Sequence, residues 1–438
     1  MKIIVLNGSP KGDLSVTMQY VAYIQKTFPQ HELKIINISE RIKRIEKDES
    51  TFQGIMDEVR SSDVVLWAFP LYLLIVPSQY KRFIELIWER RAQGAFKDKH
   101  TAVLTTSIHF FDHTAHDYMR AICDDLEMRF VGAFPAHMRD LMEEEGREKL
   151  YLFASSVFEA FEKKAPAPKI FKPVIHENLN YAPSPVKDKI DAQGKKVVIV
   201  TDSEDSQTNL GRMIQRFKDS FSSPVEMINI SEMNIMGHCL GCLHCGFDYV
   251  CQYEGKDDFN EVYRTKVQTA DVLVFAGTIV DRYLSSGWQM FFCRSFFFNH
   301  TPSVVGKQIG LIISGPLSQT PTLRQVMEGW VQFQQSNLVD FITDEYEDSA
   351  TLDLLLTDLA RRLISFSEKG YIRPRNFLGV GGMKIFRDEI YGGLRGIFQA
   401  DHRYYKKHGL YDFPQKNYKK RFMADVMTLF TKIPPIRK

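Results

Sequence analysis

The chain has no apolar run of about 18 residues, the length that a membrane-spanning helix needs. Its opening, MKIIVLNGSP, lacks the basic and long apolar regions of a signal peptide and reads instead as a buried strand. A cytoplasmic location is therefore expected, with peripheral membrane contact left open. Six cysteines in 438 residues are too few for a disulfide scaffold, and 26 glycines and 18 prolines are too few for a collagen-like or low-complexity chain. What is present is ordinary for a soluble globular protein: 44% apolar, 12% aromatic and 25% charged residues. The length suggests about three units, or two large α/β ones.

Net charge is only +2, but it is unevenly spread. Residues 371–438 carry 15 Lys and Arg against 5 Asp and Glu, so this stretch is +10 and the remainder is −8. Within it, His402 to Lys407 and Lys416 to Arg421 interleave aromatics with cations. Such a pattern can bind nucleic acid or anionic lipid, or dock an acidic electron-transfer protein. It can equally lie across its own acidic body, with Phe386, Tyr391, Phe398 and Phe413 as anchors. Nucleic acid is the disfavoured option.

The two halves repeat one another. Each opens with an apolar strand, a polar loop and an amphipathic helix. Ile-Asn-Ile-Ser-Glu follows in both, at Ile36 to Glu40 and Ile228 to Glu232, an offset of 192. Third strands fit Asp63 to Ala68 and Asp271 to Ala276, where the offset has grown to 208. Fourth strands fit Thr101 to Ser107 and Gln308 to Ser314, and fifth strands fit Arg129 to Phe134 and Leu338 to Thr343. Continuous Val/Ile/Leu strands alternating with amphipathic helices mean parallel sheets covered on both faces. The expected architecture is α/β, two tandem five-stranded doubly wound sheets of flavodoxin-like order, by duplication of one fold. Its parts are a first domain at 1–164, a proline-rich semi-rigid linker at 165–194, a second domain at 195–370 and a basic aromatic extension at 371–438.

Ligands of such sheets bind outside the carboxyl ends of the strands. The first loop there, Asn7-Gly8-Ser9-Pro10-Lys11-Gly12-Asp13-Leu14-Ser15-Val16-Thr17, offers glycines, hydroxyls, one lysine and a helix N-terminus, the groups an anionic phosphate needs. It is neither a Walker loop nor GxGxxG. An ordinary βα turn with a Ser or Thr cap would look similar. After the third strand comes Phe69-Pro70-Leu71-Tyr72-Leu73-Leu74-Ile75-Val76-Pro77-Ser78-Gln79-Tyr80-Lys81. Together these segments resemble the NAD(P)H-dependent FMN reductase branch of the flavodoxin-like proteins, at low similarity over roughly residues 1–370. That resemblance implies FMN, with Ser9, Lys11, Ser15 and Thr17 at its phosphate and Pro70, Leu71, Tyr72 and Leu73 lining its ring. Thr105, Thr106 and Ser107 are further polar candidates. The second half has Asp202, Glu204 and Asp205 in its corresponding loop, and carboxylates oppose a phosphate dianion. FMN is not expected there. Gly379-Val380-Gly381-Gly382 follows no βα unit of the kind a dinucleotide loop requires.

The 16 residues gained by the second half include Cys239, Cys242, Cys245 and Cys251, spaced C-x2-C-x2-C-x5-C. Three thiolates within seven residues can face one side of a cubane, with a fourth closing the set. Structural zinc prefers two separated Cys pairs. Zinc and unmetallated thiols remain the alternatives. The spacing is similar to the cluster motif of iron–sulfur flavoproteins, which implies a [4Fe–4S] cluster on those four cysteines. His238 and His244 read as solvated loop residues, and Cys123 and Cys293 as packing cysteines.

The resulting expectation is an oxidoreductase passing electrons between a [4Fe–4S] cluster and FMN. The halves would form an internal pseudo-dimer, with a homo-oligomer left open. NAD(P)H or a ferredoxin-like protein would be the donor. Rivals are an NAD(P)H-dependent quinone or azo reductase, a nonenzymatic electron carrier, and a zinc-stabilised flavin-binding sensor. No acid–base residue is singled out.

Overall fold

Val and Ile dominate the first strand, β1 (Lys2–Asn7), because both faces of a parallel strand are covered; all of it beyond Lys2 is buried. In the computed structural model, which describes residues 1–176, 179–345, 348–413 and 418–431, β1 is joined by β2 (Glu32–Asn37), β3 (Val64–Pro70), β4 (His100–Ser107) and β5 (Arg129–His137). The order is β2-β1-β3-β4-β5, all parallel. The second half repeats it with β6 (Val197–Thr201), β7 (Glu226–Asn229), β8 (Val272–Thr278), β9 (Gln308–Ser314) and β10 (Asn337–Thr343), ordered β7-β6-β8-β9-β10. Strands end within about three residues of their expected positions, as alternation of apolar strand and amphipathic helix predicts.

The halves share a core. Helix Ser78–Glu89 packs against helix Ser286–Ser295, and one apolar cluster runs from Ile4, Trp67 and Tyr80 through Trp288, Phe292 and Trp330. At this seam Lys81 is fully buried, with its ammonium 2.9 Å from both Glu85 and Asp281. Burial opposes that charge, but Asp281 and Glu85 outweigh it and hold the Lys81 pKa above its ordinary value. Glu85 also accepts from the Ser286 amide and hydroxyl, both at 2.6 Å, so it caps the opposing helix. Tyr118 donates to Asp281 at 2.9 Å.

The proline-rich segment is pinned along both halves and is not a free spacer. The Ile170 and Phe171 amides donate to Asp124, Arg282 binds the Lys172 carbonyl, and the buried Tyr181 donates to Asp353. Residues 177 and 178 of this segment lie outside the described residues.

The extension forms helices Phe377–Tyr391, Gln399–Lys407 and Tyr418–Thr431. Gly379 to Gly382 sits inside the first of these, where a Cβ on Gly379 would strike Gln332 and one on Gly382 would strike Phe110. These glycines permit close packing and form no dinucleotide loop. Of the four expected anchors, Phe386 and Phe398 are buried, whereas Tyr391 and Phe413 are exposed. Aromatic content alone could not separate the two pairs, because only the first pair faces a partner surface. Lys416 and the side chain of Lys420 lie outside the described residues.

Replacing Lys81 with Ala leaves the buried side chain of Asp281 without its cation and Glu85 with Arg82 alone. Chemical denaturation is expected to show a loss of about 3–5 kcal/mol. Arg60→Ala, which removes an exposed pair with Asp57, should change stability by about 1 kcal/mol or less.

Candidate functional site

At the carboxyl end of the first sheet, β1 delivers a loop that turns back on itself. The Asn7 side chain accepts from the Ser9 amide at 2.9 Å and donates to Asn37 at 2.7 Å. A Cβ on Gly8 would lie 2.7 Å from Phe69, so this turn tolerates no side chain. Gly12 adopts φ +56°, and Ser15 then caps helix Val16–Thr27, its hydroxyl accepting from Met18 at 3.2 Å. The Val16 and Thr17 amides open that helix, beyond the reach of any carbonyl within it.

Lys11 and Ser15 line a cleft of about 150 Å³, as do Pro70, Leu71, Tyr72, Thr106 and Ser107. The remaining expected residues are placed differently. Ser9 is buried beneath the loop, its hydroxyl accepting from the Lys11 amide at 3.2 Å. The Thr17 hydroxyl is 2.6 Å from that of Thr106. Leu73 turns into the core, and its carbonyl accepts from Gln289 at 3.1 Å. Thr105 is tied to His116 at 2.8 Å, and burial pulls the His116 pKa down to about 4. Asp13 is turned away to Asn37, while Glu40 lies against Gly12, so Lys11 and the helix N-terminus supply the positive potential.

The cysteine loop of the second half closes this cleft. Cys239, Cys242, Cys245 and Cys251 all line one small chamber of about 30 Å³, walled by Leu240, Leu243, Phe296 and Phe297. Chamber and cleft share Gly241, Leu243 and Phe296 as a common wall. Gly241 has φ +61°, and a Cβ there would collide with the Tyr72 ring and hydroxyl. The Tyr72 phenol is pushed up by burial and by the nearby Cys239, and is partly relieved by the Ser9 hydroxyl. Gln79 donates to the Cys239 carbonyl at 2.9 Å, fixing the loop to the first half.

Burial pushes the Cys239 thiol up to about 11 and also raises Cys245, with the neighbouring thiols of the set adding to both. Thiols in such a place ionise only against a compensating positive charge. Arg294 borders the chamber, bound to Asp257 at 2.7 and 2.9 Å, and its buried Nε has no partner among the described residues. That orphaned donor fits a sulfur-rich anionic guest. Among the described residues no three His, Cys, Asp or Glu groups are drawn together around one metal-ion position. His238 departs from expectation: it is largely buried, 2.9 Å from the Ser78 hydroxyl, with burial holding its pKa down to about 4. His244 is exposed, and Cys123 and Cys293 are buried in helices, as expected.

Two contributions to the cleft had no signal in the sequence. Phe386, Leu394, Ile397 and Phe398 of the extension form one wall. His300 of the second half forms another, and Asp401 holds its Nδ1 at 2.7 Å. Only the folded chain brings these segments together.

At the equivalent place in the second half, Asp202 accepts from Ser285, and burial pushes its carboxyl up. The open cleft there has His176, Leu179 and Asn180 of the connecting segment on its wall. Asn209 donates to the Leu179 carbonyl at 2.6 Å.

Gly241→Ala is expected to cost about 1–2 kcal/mol for the left-handed backbone alone, plus the collision with Tyr72. In a double-mutant cycle followed by chemical denaturation, Tyr72→Ala should recover the collision part and leave the backbone part.

No curated protein matches the chain. Among solved structures, the FerB flavoenzyme NAD(P)H:(acceptor) oxidoreductase of Paracoccus denitrificans is 19% identical, with 37% of this chain and 97% of that one covered and a TM-score of 0.31. An FMN-dependent NADH-azoreductase of Bacillus anthracis is 16% identical over 38% of this chain and 100% of that one, with a TM-score of 0.28. General stress protein 14 of Treponema denticola, in complex with FMN, is 12% identical over 37% and 98%, also at 0.28. Residues 1–150, which carry the glycine-bearing loop, match the family model Flavodoxin_2, described as a flavodoxin-like fold.

Proposed function

We propose that the chain is an oxidoreductase whose first half holds FMN and whose second-half cysteine loop holds a [4Fe–4S] cluster beside it, the halves acting as a pseudo-dimer within one chain. One observation carries this reading: the cleft beside Ser15 and Tyr72 and the chamber of four cysteines share a wall of three residues, Gly241, Leu243 and Phe296. When bound, FMN exchanges one or two electrons and the cluster exchanges one.

The chain's own groups do the holding. Lys11, the Ser15 hydroxyl and the first amides of helix Val16–Thr27 meet the phosphate, and Pro70, Leu71 and Tyr72 lie along the ring. Ser9 and Thr17 support the loop from beneath. Cys239, Cys242, Cys245 and Cys251 ligate iron, with Arg294 offering its Nε to a sulfur. The C-x2-C-x2-C-x5-C spacing supports a cluster over zinc, which prefers two separated Cys pairs.

Protein purified without oxygen should contain one FMN and about four irons per chain. Lys11→Glu sets a carboxylate beside the phosphate and should weaken FMN retention at least tenfold while iron content stays near normal. Cys242→Ala should do the reverse. Loss of both cofactors from either folded variant would refute two separate sites.

Of the two donors considered, NAD(P)H and a ferredoxin-like protein, the exposed cations Lys406, Lys407 and Lys419 favour the second. Reduction by ferredoxin should slow sharply as ionic strength passes about 0.1 M, where the Debye length is about 10 Å. Reversing those three lysines to Glu should slow it at low salt and leave both cofactors bound. Stopped-flow reduction rates against salt concentration check this.

A further inference from the structure

His300 closes the turn after Phe296–Phe298, in the second half, and lines the same cleft as Lys11 and Ser15 of the phosphate loop. Its ring sits in an aromatic cage, with centroids 4.4 Å from Phe386, 4.4 Å from Phe398 and 5.2 Å from Phe296, all three of which line the same cleft. Asp401, from helix Gln399–Lys407, is fully buried and accepts from the His300 amide at 3.2 Å and from Nδ1 at 2.7 Å. The Tyr405 hydroxyl donates to the His300 carbonyl at 2.9 Å. Backbone, ring and carboxylate are thus fixed together. The opposite nitrogen, Nε2, has no partner among the described residues.

A carboxylate on Nδ1 fixes the tautomer. The neutral ring keeps its proton on Nδ1, so the exchangeable site is Nε2, on the residue that lines the cleft. Among the described residues, the charged and titratable groups around the pair include Asp401 itself, the Tyr405 phenol, and the Tyr249 and Tyr411 phenols, which burial and Asp401 push upward. A buried carboxylate on Nδ1, an aromatic cage and an Nε2 without a partner among the described residues thus meet on one residue that lines the cleft.

We infer that His300, positioned by Asp401, is the proton donor for a substrate reduced in this cleft. The inference rests on the FMN reading above. When bound and reduced to its anionic dihydro form, FMN would supply a hydride, one proton and two electrons, to an acceptor with a basic oxygen or nitrogen. The imidazolium of His300 gives the second proton from Nε2 to the acceptor's heteroatom, and solvent reprotonates the neutral ring. Asp401 is a positioning residue: it holds the ring through Nδ1 and so keeps Nε2 as the proton-carrying atom.

The test compares two acceptors after dithionite reduction of the full chain. Benzoquinone needs protons for two-electron reduction, whereas ferricyanide takes single electrons and no proton. His300→Gln should lower the ratio of benzoquinone to ferricyanide single-turnover rates by about 10²–10⁴-fold, the usual size of a general-acid contribution. Asp401→Asn should lower it less. Nitrogen-15 NMR of the same chain should show the proton of neutral His300 on Nδ1 in the wild type, and loss of that preference in Asp401→Asn. A fall in both rates by the same factor, an unchanged ratio, or neutral His300 protonated on Nε2 in the wild type would each overturn the proton donor and leave the FMN reading standing. A wild-type chain that retains no FMN overturns both.

Discussion

The seam between helix Ser78–Glu89 and helix Ser286–Ser295 governs the rest of the molecule. A lysine with no exposure to water can persist only where carboxylates compensate it, and Lys81 has one from its own helix and one from the other half. The network therefore ties the two halves together beside the apolar cluster they share. The same helix holds the cysteine loop, since Gln79, two residues before Lys81, donates to the Cys239 carbonyl, while Gly241 rests on Tyr72.

The extension depends on the same arrangement. Phe386 and Phe398 find their partners only where Phe110 of the first half and His300 of the second already stand side by side. Their burial removes apolar surface from water, at about 25 cal/mol per Å², and completes the cleft wall. The basic surface of the extension remains outside, on Lys406, Lys407 and Lys419, so one segment presents an apolar inner face and a cationic outer one. Its +10 charge says nothing about this division. The alternation of buried and exposed residues along helix Gln399–Lys407 does.

The candidate site was legible in parts. Glycine-bearing loops after apolar strands mark the ligand end of a parallel sheet, and four cysteines within thirteen residues announce themselves. Finer assignments within the loop were not legible. Ser9 and Thr17 look interchangeable with Ser15 in sequence, yet Ser9 lies beneath the turn and Thr17 is spent on Thr106, because which hydroxyl faces outward depends on the backbone path through Gly12. Leu73 is separated from Tyr72 by a single residue step, but the left-handed turn at Leu74 sends it inward. His238 read as a solvated loop residue because nothing local reveals that Ser78, 160 residues earlier, covers it.

The sequence by itself determined the two parallel sheets, their strand order, the position of the ligand end and the set of four cysteines. These follow from local periodicity and from residue chemistry at short spacing, which neighbouring residues alone can express. Only the tertiary structure decided which half faces which, that Gly241 rests on Tyr72, that the extension closes the cleft, and that His300 meets Asp401. Each of these joins segments separated by about a hundred residues or more. Such contacts are selected by the packing of whole surfaces and the neutralisation of buried charge, and no short stretch of sequence encodes either.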